Sequence, residues 1–292
     1  MKTFNGIWDF ALKNLLLNGQ NHKSRAGDSL EILGWSATLD DLNYSFLTNP
    51  RRKLSPIYGV AELLWYMHRT PNIDMISTYA PQYSDLIGGN SMAYGAYGPR
   101  FSYNKNDLFT KIINLLQKQP ETRQCVLSIF RPIDLIAAYN NQADIPCTLT
   151  WQFLIRNNKL HMVCSMRSND VWLGMPYDVF VNTCIQRIFA NTLQIEVGTY
   201  THHVGSLHLY TKYIKAAEEA VQQIVDPLPH NWTYNIQDTL DYIPQILSVE
   251  QEFRFNRIGD VPKIGLMFQD FMYIIQNYWT KELVSLCSGS LK

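Results

Sequence analysis

The chain has 292 residues, 46% of them hydrophobic and 17% charged, with Lys plus Arg and Asp plus Glu balanced at 25 each. That composition excludes a disordered polymer or a coiled coil, and a chain of this size buries about three-quarters of its unfolded surface, enough for a core without metal or disulfide staples. Zero formal charge gives no support to strong nucleic-acid binding, while leaving room for a local basic pocket that takes a small anion. The five cysteines, Cys125, Cys147, Cys164, Cys184 and Cys287, form no CxxC pair, and no Cys/His cluster has zinc-site spacing. Asp9 interrupts the first apolar stretch, and no uncharged run approaches the ~20 residues of a membrane span. The expectation is a reduced, cytoplasmic protein without a metal.

In chain order, residues 4–18 place Phe4, Trp8, Ala11, Leu12 and Leu15 on one helical face, with Gly19 as a stop. Residues 57–69 read as an apolar helix carrying Glu62, and 107–118 as an amphipathic helix. Strands follow at 124–130, 149–156 and 159–166, the last two joined through Asn157-Asn158 as a hairpin. A helix over 177–193 is opened by Pro176, followed by a strand at 197–207 and a helix at 210–225. The prolines 227, 229 and 244 suggest surface connection, and 263–286 contains further helix. With no repeat or linker, the chain reads as one α+β domain over 1–292, built on a single mixed sheet flanked by helices.

Three features can carry chemistry. Cys147, in Pro146-Cys147-Thr148 at the mouth of a strand, is a nucleophile if cations hold its thiolate, and otherwise a buried structural thiol. Glu62, if buried, gains a raised pKa suited to proton transfer; the alternatives are an exposed helix position or a partnered structural ion. The block from Met166 to Asp178 (MRSNDVWLGMPYD) gathers Arg167, Ser168, Asn169 and Asp170 at a strand end before a helix N-terminus, where guanidinium and hydroxyl donors can grip a phosphate. As an isolated cluster it could equally be a loop with a capping acid. His202-His203 offers a base for a cysteine hydrolase, or two strand residues facing opposite sides.

Together these residues resemble the thymidylate synthase and pyrimidine hydroxymethylase family. Arg167–Val179 (RSNDVWLGMPYDV) is similar to its RSxDxxLGxPFNI signature, Pro146-Cys147 to its nucleophile site, Ala61–Trp65 (AELLW) to its glutamate helix, and His208-Leu209-Tyr210 to its HxY motif, in family order over residues 5–215. The resemblance implies a homodimer that packs sheet against sheet and 5,10-methylenetetrahydrofolate as one-carbon co-substrate. It implies Cys147 as the nucleophile at C6 of a pyrimidine nucleotide, and Glu62 as organiser of water and protons. Arg25, Arg167 and Ser168 become phosphate ligands, joined by Arg123 from the partner subunit. His208 and Tyr210 hold the sugar, and Asp170, Leu173 and Gly174 belong to the folate surface. Arginines near the phosphate are expected to hold Cys147 as thiolate. Tyr94 and Tyr97 are both candidates for the family's active-site tyrosine, and spacing to Arg100 does not choose between them.

The informative departure is Asp178, where uracil-using members carry Asn. Ionised Asp offers only acceptors, which suits the 4-amino group of cytosine and opposes the O4 of uracil; the bland alternative is a helix N-cap. Thr148 replaces a histidine, Gln124 replaces a second arginine, and Val284–Lys292 is unlike the apolar tail that closes thymidylate synthases. The expectation is 5-hydroxymethylation of dCMP. The competing readings are thymidylate synthase, a dCMP methylase, or a nucleotide-binding regulatory protein without turnover.

Overall fold

The computed structural model describes residues 2–25, 27–223, 225–230, 232–256 and 260–280. Helix α1 (Phe4–Asn18), capped by the Thr3 hydroxyl, leads into β1 (Gln20–Ser24) and β2 (Gly27–Leu39). Helices α2 (Pro56–Met67), α3 (Asp74–Tyr79) and α4 (Tyr83–Leu86) precede a small hairpin, β3 (Ser102–Tyr103) and β4 (Asn106–Asp107). Then come α5 (Leu108–Lys118), β5 (Val126–Ser128), α6 (Pro132–Tyr139), β6 (Thr148–Arg156) and β7 (Lys159–Asp170). Helix α7 (Met175–Leu193) crosses to β8 (Glu196–Tyr210), and α8 (Ile214–Ala220), α9 (Ile243–Asn256) and α10 (Leu266–Thr280) complete the described elements.

Six strands form one sheet in the order β1-β2-β8-β7-β6-β5. The β7–β8 pair is parallel and the others antiparallel, because α7 supplies the long crossover a parallel pair requires. Helix α7 is buried almost all round, from Met175 to Asn191, against β7, β8, α2 and α5. It brings one end of β7 and the first turn of α7 together with α2. The opposite sheet face, with Gln152, Leu154, Val163, Ser165, Thr199 and Thr201, is only half-buried. The indole N–H of Trp8 donates to the Val171 carbonyl (2.8 Å), tying α1 to the turn between β7 and α7.

The long periodic elements lie where the sequence places them. The strand expected over 124–130 shortens to β5, since Ile129 and Phe130 both donate to the Leu149 carbonyl as the chain turns away. The helix expected over 210–225 begins as a 3-10 turn at Thr211–Tyr213 and runs only to Ala220. Pro244 is no surface connection: it is the second residue of α9, where a missing N–H costs nothing. Helix α6 was not anticipated either. Pro132 opens it, and its Asp134 forms a buried bidentate pair with Arg100 (2.6 and 3.0 Å). The tail 284–292 lies outside the described residues.

Candidate active site

Cys147 stands immediately before β6, where the β6–β7 register shifts between Thr148 and Thr150. Such an irregularity re-aims side chains at a strand mouth. Arg167, across on β7, holds this segment. Its backbone N–H donates to the Cys147 carbonyl (2.8 Å), its Nε to the Pro146 carbonyl (2.9 Å) and its Nη2 to the Ile145 carbonyl (2.9 Å). The same Nη2 lies 3.6 Å from the Cys147 sulfur. Arg25, exposed in the β1–β2 turn, donates to the Ala143 carbonyl (2.9 Å), so two arginines converge on residues 143–147. The structure separates the two tyrosines. The Thr148 N–H donates to the Tyr97 hydroxyl (3.0 Å), whereas Tyr94 lies 5.7 Å from the Arg100 guanidinium, beside the Arg100–Asp134 pair.

The expected thiolate is not what this arrangement produces. Burial raises the Cys147 pKa, the Arg167 charge opposes it, and the Asp178 and Asp144 carboxylates add to the rise. Desolvation outweighs one guanidinium, so Cys147 rests as the thiol.

Behind the cysteine lies a desolvated acid cluster. Glu62, on α2, accepts from the Tyr58 hydroxyl (3.3 Å). Burial, then the Asp178 charge, raises its pKa to about 8. Asp178 sits in the first turn of α7 but is not its N-cap, which is Gly174, so the capping alternative fails. The Asn169 amide donates to Asp178 Oδ2 (2.8 Å). Burial raises Asp178 to about 7, the Asn169 bond opposes this, and the nearby Asp170 charge reinforces it. Burial, then the charges of Glu62, Asp144 and Cys147, raises the Tyr83 pKa, and the Tyr66 ring lies 4.9 Å from that of Tyr97. None of Tyr58, Tyr66 and Tyr83 was singled out from sequence. Yet Tyr58 and Tyr66 stand four residues before and after Glu62, the spacing that puts all three on one helix face.

The raised Glu62 pKa has a stability consequence. Between the ordinary value of 4.5 and about 8, the folded chain keeps a proton that the unfolded chain has lost. Its contribution is full below the lower value and is lost as pH rises towards the upper. His202 and His230, both pushed down to about 3, slope the other way, but only below their ordinary 6.5. Urea midpoints are therefore expected to fall from pH 6.5 to pH 8, and Glu62→Gln to flatten that fall.

The remaining residues surround this cluster. Asp170 Oδ1 accepts from the backbone of Trp172 (2.7 Å) and Leu173 (2.9 Å), while its Oδ2 is buried with no hydrogen-bond partner. His208 pairs with Asp170 in the β7–β8 register, and its ring lies 5.1 Å from that of Tyr210. Ser168 is half-buried opposite Ser206. Leu173 is exposed, and its carbonyl accepts from Arg52 (3.4 Å). Arg123 is not brought in. Its carbonyl meets Gln152, five residues along β6 from Cys147 and so about 16 Å away at strand spacing.

Gly174 is held small by the site itself. A Cβ there would sit 3.2 Å from Asn169 Nδ2 and 3.3 Å from Asp178 Oδ2, pressing on both ends of their hydrogen bond. Gly174→Ala is expected to lower kcat/KM about tenfold while moving Tm by only a few degrees. Steady-state kinetics beside a thermal melt separates the two effects.

Comparison with known proteins gives the class, an enzyme of nucleotide one-carbon chemistry. Residues 8–251 match the family model described as thymidylate synthase. The chain belongs to that family, whose members carry out folate-dependent one-carbon transfer to C5 of a pyrimidine nucleotide. It is 27% identical over 220 residues to a thymidylate synthase of Buchnera aphidicola subsp. Baizongia pistaciae, covering 72% of this chain and 81% of that one. The fold is similar to thermostable thymidylate synthase A from Bacillus subtilis, with TM-score 0.67 and 22% identity over 76% of this chain and 85% of that one. Among the described residues no group of His, Cys, Asp and Glu could hold a metal, and no helix is long and apolar enough to cross a membrane.

Proposed function

We propose that the chain transfers a hydroxymethyl group to C5 of dCMP, with 5,10-methylenetetrahydrofolate as the one-carbon source, within a single catalytic domain. The observation that carries this reading is Asp178, which points at Asn169 and the acid cluster beside Cys147 instead of capping α7. Because Asn169 donates to Oδ2, the other oxygen is left for the base, and as a carboxylate it accepts from an exocyclic amine. Attack of the Cys147 sulfur on C6, with loss of its proton, breaks the C5–C6 π bond and sends its electrons through C4 to N3, which takes up a proton, leaving an enamine whose C5 is nucleophilic. Glu62, with a pKa near the working range, gives and takes the protons this requires. Tyr97 anchors the strand mouth, which makes it the active-site tyrosine in preference to Tyr94.

Arg25, Arg167 and Ser168 bind the phosphate, and His208 and Tyr210 the sugar. The folate fits what the chain offers, since the unpaired buried Oδ2 of Asp170 is an acceptor awaiting an N–H donor, with Leu173 and Gly174 beside it. Folate supplies the one-carbon unit; the chain binds, orients and moves protons. Arg123, too far from its own Cys147, serves the site of a second copy in a homodimer that covers the half-buried sheet face.

Hydroxymethylation follows if, once tetrahydrofolate has left and the C5 proton is lost, water in place of hydride adds to the exocyclic methylene and the Cys147 sulfur then departs from C6. A second reading is thymidylate synthase itself, favoured by both relatives being thymidylate synthases and by the raised Asp178, which as a neutral acid can donate to uracil O4. Incubation with dCMP or dUMP and methylenetetrahydrofolate, followed by product mass and dihydrofolate absorbance, tests the proposal. A hydroxymethyl mass gain on dCMP without dihydrofolate is expected. A methyl gain on dUMP with dihydrofolate overturns it in favour of the second reading.

A further inference from the structure

One chain of buried hydrogen bonds runs from Asp178 into the sheet and serves no step described above. Asn169 Oδ1 lies 2.9 Å from His202 Nε2, His202 Nδ1 lies 2.7 Å from the Tyr200 hydroxyl, and Asn182 Nδ2 donates to that hydroxyl (3.0 Å) and to the Cys164 sulfur (3.3 Å). His202, Asn169 and Asn182 are buried, and His203 on the same strand is exposed, so the two adjacent histidines do face opposite sides. His202 therefore has no path to Cys147 as a hydrolase base; it is spent on Asn169.

The chain has a single consistent polarity. A carboxylate oxygen only accepts, so Asn169 must turn its amide nitrogen to Asp178 and its carbonyl to His202. A carbonyl only accepts, so His202 must present N–H at Nε2. A neutral imidazole with its proton there has a lone pair at Nδ1, which takes the Tyr200 O–H. The Tyr200 oxygen in turn accepts from Asn182. The same order follows from the far end, independently of the charge on Asp178. Asn182 donates to the Tyr200 oxygen, the Tyr200 O–H turns to Nδ1, the His202 proton sits on Nε2 and holds the Asn169 carbonyl, and the Asn169 amide faces Asp178. Oδ2 is therefore an acceptor, and any proton the acid carries belongs on Oδ1.

We propose that His202, acting through Asn169, is a specificity-positioning residue that sets which Asp178 oxygen can donate and which can only accept, and thereby tunes the choice between an amino and a carbonyl group at C4 of the bound base. This rests on the reading of Asp178 as the base-edge residue. Without the His202 N–H, the Asn169 amide is free to rotate and bring its carbonyl to Oδ2, which can then be satisfied only by a proton. That draws the proton to Oδ2 and leaves Oδ1, the base-facing oxygen, an acceptor only, where the intact relay keeps any proton on Oδ1 as a donor to the base. The imidazole also packs edge-on to Trp35 (6.5 Å), so its removal has a structural cost that must be told apart from the relay.

The discriminating readout is the ratio of kcat/KM for dCMP and dUMP in C5 tritium release, since loosened packing lowers both substrates together and leaves the ratio alone. His202→Phe is expected to shift the ratio towards dCMP about tenfold, the value of one fixed hydrogen bond. Tyr200→Phe, which frees the His202 tautomer at nearly constant volume, shifts it a few-fold in the same direction. His202→Gln, which keeps a donor near the Nε2 position, holds the ratio close to that of the unsubstituted chain. An unchanged ratio in His202→Phe overturns the relay, and if that variant does not fold, an unchanged ratio in Tyr200→Phe does so instead. A native chain that prefers dUMP defeats the dCMP assignment while leaving the relay's predicted shift in ratio to be read.

Discussion

Changing Asp178 to Asn is expected to reverse the base preference of the enzyme. An Asn amide supplies one donor and one acceptor, matching the O4 and N3–H of uracil, whereas the carboxylate supplies acceptors that match the 4-amino group of cytosine. A buried polar mismatch of this kind discriminates by about 10⁴, so the ratio of kcat/KM for dCMP over dUMP should swing by roughly 10³ or more. The substitution keeps the side-chain volume and leaves an oxygen to accept from Asn169, so the fold is not at risk. Removing Asp178 also removes the second-largest cause of the raised Glu62 pKa, so the alkaline limb of the pH–rate profile should move down as the preference changes. Steady-state assays of both nucleotides across pH read both effects from one variant.

Cys147→Ser is expected to abolish turnover, by about 10⁴-fold or more, because a serine hydroxyl in this desolvated position has no base strong enough to make it a comparable nucleophile. Arg167 should still clasp the carbonyls of Ile145 and Pro146, since those bonds do not involve the sulfur, so nucleotide binding is expected to persist. Intact-protein mass spectrometry with a 5-fluoropyrimidine nucleotide and folate should trap an adduct on the unsubstituted chain and none on the variant. Turnover that survives the substitution would remove covalent catalysis from the account.

Much of this was legible in the sequence because it is local. Helices α1, α2, α5 and α7 carry long periodic patterns, and Asn157-Asn158 joins β6 to β7 with both residues at positive φ (51° and 57°). The MRSNDVWLGMPYD block was readable because a strand end, a turn and a helix start are contiguous in it. What failed depends on long-range contact. Helix α6 is short and exposes Ile133, Leu135, Ile136 and Tyr139, so its apolar pattern has no polar face to mark a helix, and Arg100 from a distant turn secures it. The Cys147 thiol illustrates the same limit: Arg167 could be named from sequence, but only the packed structure shows desolvation outweighing its charge. Choosing Tyr97 over Tyr94 required seeing which hydroxyl meets Thr148.

Direct competition between dCMP and dUMP for the unsubstituted chain, with each nucleotide tritiated at C5 and methylenetetrahydrofolate present, puts the central claim to its most direct trial. Release from dCMP should exceed release from dUMP by about 10² or more in kcat/KM, as an acceptor-only carboxylate at the base edge requires. Equal release, or a preference for dUMP, would mean that Asp178 meets the base as a neutral acid or not at all, and the cytosine assignment would be wrong.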